Sequence, residues 1–313
     1  MLSWKRSRKA TSCLFNAPAN GDTEAMPFIE HSLGCTFYQS RGSKRTAGLP
    51  LVCLHGGPGG HSYFMQDLFK LADERRVFVY DQIGSGRSSQ TPKSRWTVHT
   101  FVQELKWLVD AWELDAFHLF GASWGTTLAL EYFLSRKRHR VHSMTFQSPM
   151  FSATDWQADA DLLIRALPAK ERKVIQYCHE IGATDANVYQ QAMDTYYARH
   201  VLRNKAALKR RSGFRNPHGA EVYAHMWGAS EFSATGTLKN YDRVKDLDQV
   251  DCPTLVICGE HDEARPQTGR RYARRIPDAR FEVISNASHA ILAERPAALV
   301  KSVRQFLRAV ESN

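Results

Sequence analysis

The chain has 313 residues, of which 43% are hydrophobic and 24% are charged. This is an ordinary globular composition, and the length suffices for one large domain or for a domain with an insertion. The formal net charge is +10, but no nucleic-acid-binding motif accompanies the basic clusters, so we interpret them as solvated surface and expect no nucleic-acid partner. No apolar run has the length of a membrane-spanning helix, so we expect no membrane partner either.

The N-terminus and the cysteines bear on where the protein works. Residues 1–25 include a basic start that no apolar segment follows, so a secretory signal is not indicated. We interpret them as a flexible extension; a transit segment or a start site placed too early are the alternatives. Cys53 and Cys258 lie in apolar runs typical of buried strands. We interpret them as core thiols and expect a reducing compartment, the cytoplasm.

Short apolar segments alternate with helical ones in the first half of the chain. Residues 35–39 alternate weakly and predict an early antiparallel strand. Such alternation is typical of right-handed βαβ units and of a mostly parallel sheet covered by helices on both faces. Buried strands are predicted at 51–54, 77–80, 117–120 and 141–147, and helices at 61–73 and 98–113.

The pattern changes between residues 150 and 240, where helical segments follow one another without buried strands. These segments are 154–166, 170–181, 186–202 and 217–227. Strands return at 254–258 and 281–284, and a last amphipathic helix begins at Pro296. We therefore predict an α/β core formed by residues 26–149 and 241–313, with a helical insertion at 150–240.

A strand–turn–helix context surrounds Gly121-Ala122-Ser123-Trp124-Gly125, a G-x-S-x-G motif. In this context the motif predicts a nucleophile elbow, a tight turn that lifts the serine hydroxyl to the N-terminus of a helix. Gly121 and Gly125 carry no Cβ that would collide across such a turn. The alternative is a Gly-rich connection with an incidental serine.

A serine hydroxyl is a poor nucleophile until a base takes its proton. Asp262 directly follows one predicted buried strand, and His289 follows the last strand. Because loops after parallel strands share one edge of the sheet, we expect both to meet Ser123 there, in the chain order of the α/β-hydrolases. His289 is then the base, and Asp262 holds its tautomer. For each residue considered alone there is an alternative. His289 is one of 13 histidines and is then an ordinary surface or core histidine, and Asp262 is then a loop carboxylate that caps the next helix.

A tetrahedral intermediate also needs donors for its oxyanion. We predict one donor at the backbone N–H of Trp124, which follows the nucleophile. The second is expected in the loop after an early strand, where His55-Gly56-Gly57-Pro58-Gly59 stands, and we assign it to the N–H of Gly57. The alternative for this loop is a tight turn without a catalytic part.

Six motifs in order give the chain a family resemblance from about Met26 to the C-terminus. The motifs are His55-Gly-Gly-Pro-Gly59, Asp81-Gln-x-Gly-x-Gly-Arg-Ser88, Gly121-x-Ser-Trp-Gly125, Met226-Trp-Gly-x-Ser-Glu-Phe232, Gly259-Glu-x-Asp-Glu263 and Ser288-His289. With them the chain resembles the proline iminopeptidase-type α/β-hydrolases, a group that includes tricorn-interacting aminopeptidases and L-amino-acid amidases. The resemblance implies an α/β-hydrolase fold with a mostly parallel eight-stranded sheet and a helical cap inserted after the sixth strand.

The resemblance also implies a substrate. In this family two glutamates bind the free α-ammonium of the substrate, and the matching positions here are Glu231 and Glu263. A protein of net charge +10 needs local carboxylates to hold a cationic amine, which agrees with this assignment. The alternatives are that Glu231 caps a helix and that Glu263 is a solvated loop residue. Asp81 and Arg87 are expected to fix their loop.

These features predict a serine hydrolase, without cofactor or metal, that releases an N-terminal residue from short peptides, with proline favoured. The partner is then a small peptide or an amino-acid amide with a free α-amine. An L-amino-acid amidase, arylamidase or related esterase is the alternative with the same machinery. A non-catalytic receptor on a hydrolase fold is a remote alternative. The oligomeric state is left open.

Overall fold

The computed structural model describes residues 27–135, 140–204, 206–207 and 217–312. The predicted extension, residues 1–25, lies outside this part. Within it, eight strands form one sheet in the order β1-β2-β4-β3-β5-β6-β7-β8. The strands are β1 Phe28–His31, β2 Gly34–Arg41, β3 Gly48–Leu54, β4 Arg75–Tyr80, β5 Phe117–Ala122, β6 Val141–Gln147, β7 Thr254–Gly259 and β8 Ala279–Ile284.

The sheet is parallel from β4 through β8 and antiparallel at the β1–β2 edge. Every residue of β5 and β7 is buried, as expected for strands covered on both faces. The predicted early antiparallel strand is β2, which pairs with both β1 and β4. The predicted fold class, a mostly parallel sheet with helices on both faces, is confirmed.

Helices follow most of the strands. They are α1 Val98–Ala111, α2 Trp124–Ser135, α3 Ala153–Arg165, α4 Ala169–Glu180, α5 Asn187–His200, α6 Pro217–Met226, α7 Pro266–Ala273, α8 Ile291–Glu294 and α9 Pro296–Glu311, with 3-10 segments at Ser62–Leu71, Lys93–Arg95 and Val244–Gln249. The predicted helix at 61–73 is thus a 3-10 helix. None of the helices in the described ranges is long and apolar enough to cross a membrane.

Two hydrophobic clusters fill the two sides of the sheet. One contains side chains of α1, α2 and α7. The other contains side chains of the first 3-10 segment and of α9. Cys53 and Cys258 are buried free thiols in the middle strands, as predicted. Each cluster buries the apolar stripe of an amphipathic helix against the sheet, which is the main favourable contribution to such a fold.

The chain between β6 and β7 forms the helices α3 to α6 and no strand in its described residues. Side chains of α3, α4 and α5 share a separate small core with Phe232, including Ile164, Ile175, Tyr189 and Tyr196. Gly59 lies directly under α6, since a Cβ on it would stand 2.1 Å from the carbonyl oxygen of Gly219. These helices therefore pack over the carboxyl edge of the sheet.

Candidate active site

The turn that carries Ser123 is strained. Ser123 has φ = 54°, in the left-handed region that non-glycine residues rarely adopt. A Cβ on Gly121 would stand 2.3 Å from the carbonyl oxygen of Gly125, and a Cβ on Gly125 would stand 2.2 Å from that of Leu54. Both glycines are therefore required for the turn, and they place Ser123 between the end of β5 and the start of α2.

Asp262 and His289 meet at the same edge of the sheet. His289 Nδ1 lies 2.8 Å from Asp262 Oδ1. The carboxylate also accepts hydrogen bonds from Ser148 Oγ at 2.6 Å and from the backbone N–H groups of Gly259 and Ala264 at 3.0 and 2.9 Å. Asp262 is only 1% exposed, so these donors fix its orientation toward the imidazole.

The backbone around His289 is held by the helical segment above it. The His289 N–H donates to the carbonyl of His200 at 3.0 Å, and the Ala290 N–H donates to that of Val201 at 2.9 Å. The edge of the Trp156 ring contacts the imidazole, with ring centroids 5.6 Å apart. Burial lowers the pKa of His289, but the neighbouring Asp262, Glu263 and Glu231 charges outweigh it and raise the pKa to about 9.

Ser123 and His289 line one cavity of about 520 Å³, together with Gly57 and Glu231. In the part of the chain that the structure describes, Ser123 Oγ makes no hydrogen bond with the imidazole. Such a contact often closes only when a substrate binds. The three residues predicted to act together are thus at one site, with the histidine–aspartate contact formed.

Two backbone N–H groups belong to segments beside the serine: Trp124 follows it, and Gly57 follows Gly56, on which a Cβ would stand 3.2 Å from Ser123 Cβ. Trp124 is the first residue of α2, so its N–H has no partner within the helix. Gly57 has φ = 119°, and a Cβ there would stand 2.6 Å from the Gly60 nitrogen, so only glycine fits. Among the described residues neither N–H donates to another backbone group. Both are available to a negatively charged oxygen in the cavity.

A buried polar chain ties the Gly57 loop to the nucleophile turn. His55 Nε2 accepts from the backbone N–H of Gln82 at 3.0 Å, so its Nδ1–H donates to the Gly56 carbonyl at 2.8 Å. Burial lowers the pKa of His55, which agrees with this neutral form. The Gln82 side chain donates to the His55 carbonyl and accepts from the Trp124 indole at 2.8 Å. The two donors are thereby positioned relative to each other.

Asp81 and Arg87 fix their loop, as expected. The buried Asp81 carboxylate accepts from the backbone N–H groups of Ser62 and Arg87 at 2.7 and 2.8 Å. The Arg87 guanidinium covers the ring of Phe37. These contacts hold the loop after β4 and leave both side chains outside the cavity.

Glu231 and Glu263 are brought together beside His289. The Glu231 backbone is anchored by the indoles of Trp156 and Trp227, which donate to its carbonyl at 2.7 and 3.2 Å. Its side chain lines the cavity. Glu263 is 1% exposed, so the alternative of a solvated loop residue is wrong, and Glu231 lies beyond the end of α6 rather than at a helix cap.

The two carboxyl groups have unusual surroundings. Within the described residues, neither oxygen of Glu263 has a hydrogen-bond partner. Burial and then the Glu231 charge raise the pKa of Glu263 well above its ordinary value. Burial likewise raises the pKa of Glu231. The hydroxyls of Tyr196 and Tyr223 lie near enough to lower these pKa values but do not reach hydrogen-bonding geometry. These raised pKa values mean that the charged form of each carboxyl is costly here, and a cation bound beside the pair stabilises that form.

Three supporting residues escaped the sequence prediction. Ser148, with φ = 53°, follows β6 and donates to Asp262. Gln147 donates to the His289 carbonyl at 3.2 Å, and Gln82 joins the two donor loops. All three lie where a parallel strand ends. Because sites form at this edge of a parallel sheet, their position in the sequence could have indicated them. Within the described ranges, no group of three or more His, Cys, Asp or Glu residues is arranged to hold a metal ion.

Comparisons with known proteins show which family the chain is similar to. The model of the alpha/beta hydrolase fold family matches residues 50–296. The proline iminopeptidase of Heyndrickxia coagulans is 35% identical over 288 residues, which cover 90% of this chain and 98% of the relative. That of Levilactobacillus brevis is 32% identical over 293 residues, covering 91% and 96%.

Two solved structures are also similar. The proline iminopeptidase of Mycobacterium smegmatis superposes with a TM-score of 0.79 at 31% identity, covering 88% of this chain and 95% of that one. VinJ superposes with a TM-score of 0.83 at 28% identity, covering 91% and 99%. On its fold, its motifs and these similarities along nearly the whole chain, the protein belongs to the proline iminopeptidase family of α/β-hydrolases.

Proposed function

We propose that the protein is a serine aminopeptidase that releases an N-terminal residue, with proline favoured, from short peptides. Ser123 Oγ attacks the carbonyl carbon of the first residue, and His289 Nε2 takes its proton. Asp262 holds the imidazole and stabilises its charged form. The N–H groups of Gly57 and Trp124 bind the oxyanion.

The tetrahedral intermediate then collapses. His289 gives its proton to the leaving amine nitrogen, the C–N bond breaks, and the acyl group stays on Ser123 as an ester. Water attacks this ester with His289 again as base, and the free amino acid leaves. Each step uses this chain's own residues.

The observation that carries the proposal is the unpaired, buried Glu263 beside Glu231. Both oxygens of Glu263 are without a hydrogen-bond donor in the described part of the chain, and Glu231 lines the cavity that contains Ser123. Leaving a carboxylate in this state costs several kcal/mol unless a cation arrives, on the order seen for buried unpaired charges. The free α-ammonium of a peptide supplies that cation at the correct end of the substrate.

The same machinery suits an L-amino-acid amidase, an arylamidase or a related esterase. One observation favours activity on bulky apolar leaving groups, because Phe64, Met65, Leu202 and Leu292 line the cavity beside Ser123. The non-catalytic receptor stays a remote alternative, since a receptor has no need of the Asp262–His289 contact.

Two further assignments belong with this proposal. We propose that residues 150–240 act as a cap over a core formed by 26–149 and 241–313, since α6 covers the Gly57 loop and α5 the His289 loop. The cytoplasm stays the predicted compartment. The oligomeric state is left open.

A panel of substrates tests the proposal. Proline and alanine β-naphthylamides, proline and alanine amides, short peptides and their N-acetylated forms are assayed side by side for kcat/KM. We expect proline compounds with a free amine to be the best substrates and the N-acetylated forms to be poorer by about 10²-fold or more. Equal rates for free and acetylated forms would contradict the amine-binding assignment.

Ser148→Ala tests the support of Asp262. The substitution removes the 2.6 Å hydrogen bond to Oδ2 and leaves the Gly259 and Ala264 donors. We expect kcat to fall by about 10- to 10²-fold, since one lost hydrogen bond to a charged group is worth about 1.5–3 kcal/mol, while KM stays near its original value. Ser135→Ala, at the far end of α2, is the control. An unchanged kcat in Ser148→Ala would show that Asp262 does not depend on this donor.

Glu263→Gln tests whether the site is held under strain. The amide removes a buried charge that stands near Glu231 and Asp262, so we expect the free energy of unfolding to rise by about 1 kcal/mol, equivalent to about 1.5 °C in Tm. Catalytic efficiency should fall in the same variant. Thermal unfolding followed by circular dichroism measures the first effect. A lower Tm would indicate that Glu263 is a structural residue.

A further inference from the structure

His289 Nδ1 faces two carboxylates at different distances. Asp262 Oδ1 lies at 2.8 Å and Glu263 Oε1 at 3.9 Å. Asp262 is saturated by its other donors, whereas Glu263 has no donor in the described part of the chain. The imidazolium of His289 is therefore the cation nearest to Glu263 before a substrate enters.

The pocket around Glu263 is acidic. His289 is the cation that acts on both Glu231 and Glu263. The hydroxyls that face these carboxylates come from α5 and α6 and are neutral at physiological pH, because burial raises the pKa of each. The titratable groups that face Glu263 are Asp262, His289, Glu231, Tyr196, Tyr197 and Tyr223.

We propose that Glu263 interacts with two cations in turn. In the free enzyme it faces the His289 imidazolium. When a substrate binds, its α-ammonium replaces the imidazolium as the cation paired with Glu263, and His289 is thereby released to act as base. The ammonium and the imidazolium compete for the same carboxylates. Once the ammonium is bound, the imidazolium gives its Nε2 proton to solvent. The neutral Nε2 then accepts the Ser123 proton. This inference rests on the proposed function.

The charge balance supports this order of events. With its pKa raised to about 9, His289 in the free enzyme is mostly protonated at pH 7. A protonated imidazole cannot accept the Ser123 proton. Asp262 contributes most to the raised pKa, and Glu263 and Glu231 add to it, so a bound ammonium that offsets the two glutamates lowers the pKa toward the range of an efficient general base.

Selection for a free amine then takes place in the chemical step as well as in binding. A substrate without an amine meets a His289 that is still protonated. Its kcat is therefore low even when it fills the cavity. A simple binding pocket for the ammonium would raise KM for such a substrate and leave the protonation of His289 as it was.

Imidazole NMR titration tests this directly. The Ser123→Ala variant is used because it retains the charged groups of the site and does not hydrolyse the ligands. The His289 signals are assigned by their loss in Ser123→Ala/His289→Asn. Two ligands of matched shape are compared at saturation: L-prolinamide, and tetrahydrofuran-2-carboxamide, in which an ether oxygen replaces the ring amine. We expect L-prolinamide to lower the His289 pKa enough to raise the neutral fraction at pH 7 by about tenfold or more, and the ether to leave it unchanged.

Two variants complete the test. In Ser123→Ala/Glu263→Gln the His289 pKa should already be lower without ligand, and L-prolinamide should change it much less. Ser123→Ala/Glu260→Gln is the matched control, because Glu260 stands in the same turn with its side chain 47% exposed; it should respond as Ser123→Ala does.

The outcomes separate the two proposals. Saturable binding of L-prolinamide that prefers it over the ether, with the His289 pKa unchanged, overturns the inference and leaves the aminopeptidase function standing. Binding of both ligands with equal affinity contradicts the ammonium site, and both proposals fall together.

Discussion

Ser123→Ala is expected to lower kcat for proline β-naphthylamide by about 10⁴-fold or more. Without the Oγ no acyl-enzyme forms, and what remains comes from substrate binding and the two oxyanion donors. The fold should be unaffected, because alanine at φ = 54° carries the same Cβ that serine places there. Stopped-time product assays measure kcat, and thermal unfolding measures the fold.

The control for this variant is Ser135→Ala, at the other end of α2. It should retain full activity. Turnover by Ser123→Ala at more than about a hundredth of the original rate, with purified protein and an unchanged Tm, would mean that another group is the nucleophile. The assignments of Asp262 and His289 would then lose their basis.

Glu231→Gln and Glu263→Gln are each expected to lower kcat/KM for substrates with a free amine by about 10²-fold, which corresponds to about 3 kcal/mol of lost cation binding. Activity on the N-acetylated or amine-free analogues should change much less. The amide keeps the shape of the side chain and removes its charge, so the effect isolates the carboxylate. The ratio of kcat/KM for free and blocked substrates is the quantity to measure.

The two variants should differ in one respect. Glu231 lines the cavity, whereas Glu263 also faces His289 at 3.9 Å. In Glu263→Gln the rise of kcat/KM with pH should therefore occur at lower pH, because the substitution removes a charge that raises the pKa of His289. If both variants discriminate between free and blocked substrates as the original protein does, the ammonium site is assigned wrongly.

The parts of the site that local sequence determines could be predicted. The G-x-S-x-G turn has one sterically allowed solution, in which glycine stands at both flanks, and the contacts of 2.3 and 2.2 Å show why. Asp262 follows the buried strand β7 and His289 follows the half-exposed edge strand β8, and a parallel sheet brings such positions to one edge. Apolar segments likewise indicated seven of the eight strands, whereas β1 Phe28–His31 was not predicted from its residues and the number eight came from the family resemblance.

The supporting contacts depend on residues far apart in sequence, and no local pattern indicates them. Ser148 reaches Asp262 across 114 positions, and Gln82 reaches Trp124 across 42. Their distances follow from the order of strands in the sheet, which periodicity does not give. The apolar pattern also did not indicate that Ser62–Leu71 is a 3-10 helix, since apolar residues three positions apart lie on one face of either helix type.

Glu263 shows the same limit for electrostatics. Its position after Asp262 indicated a role through the family resemblance, but its burial and its distance from His289 come from the packing of α5 and α6 over the sheet. The surroundings of a charge, more than its place in the sequence, determine its pKa. A residue that the sequence places in a loop is therefore a buried carboxyl group 3.9 Å from His289 Nδ1.

The most direct test of the central claim is to identify the products from an unlabelled peptide. The purified protein is incubated with a short peptide that begins with proline, and with the same peptide N-acetylated, and both mixtures are followed by mass spectrometry. We expect free proline and the peptide shortened by one residue from the first, and an intact peptide from the second. Cleavage inside the peptide, or equal cleavage of the acetylated form, would contradict the account.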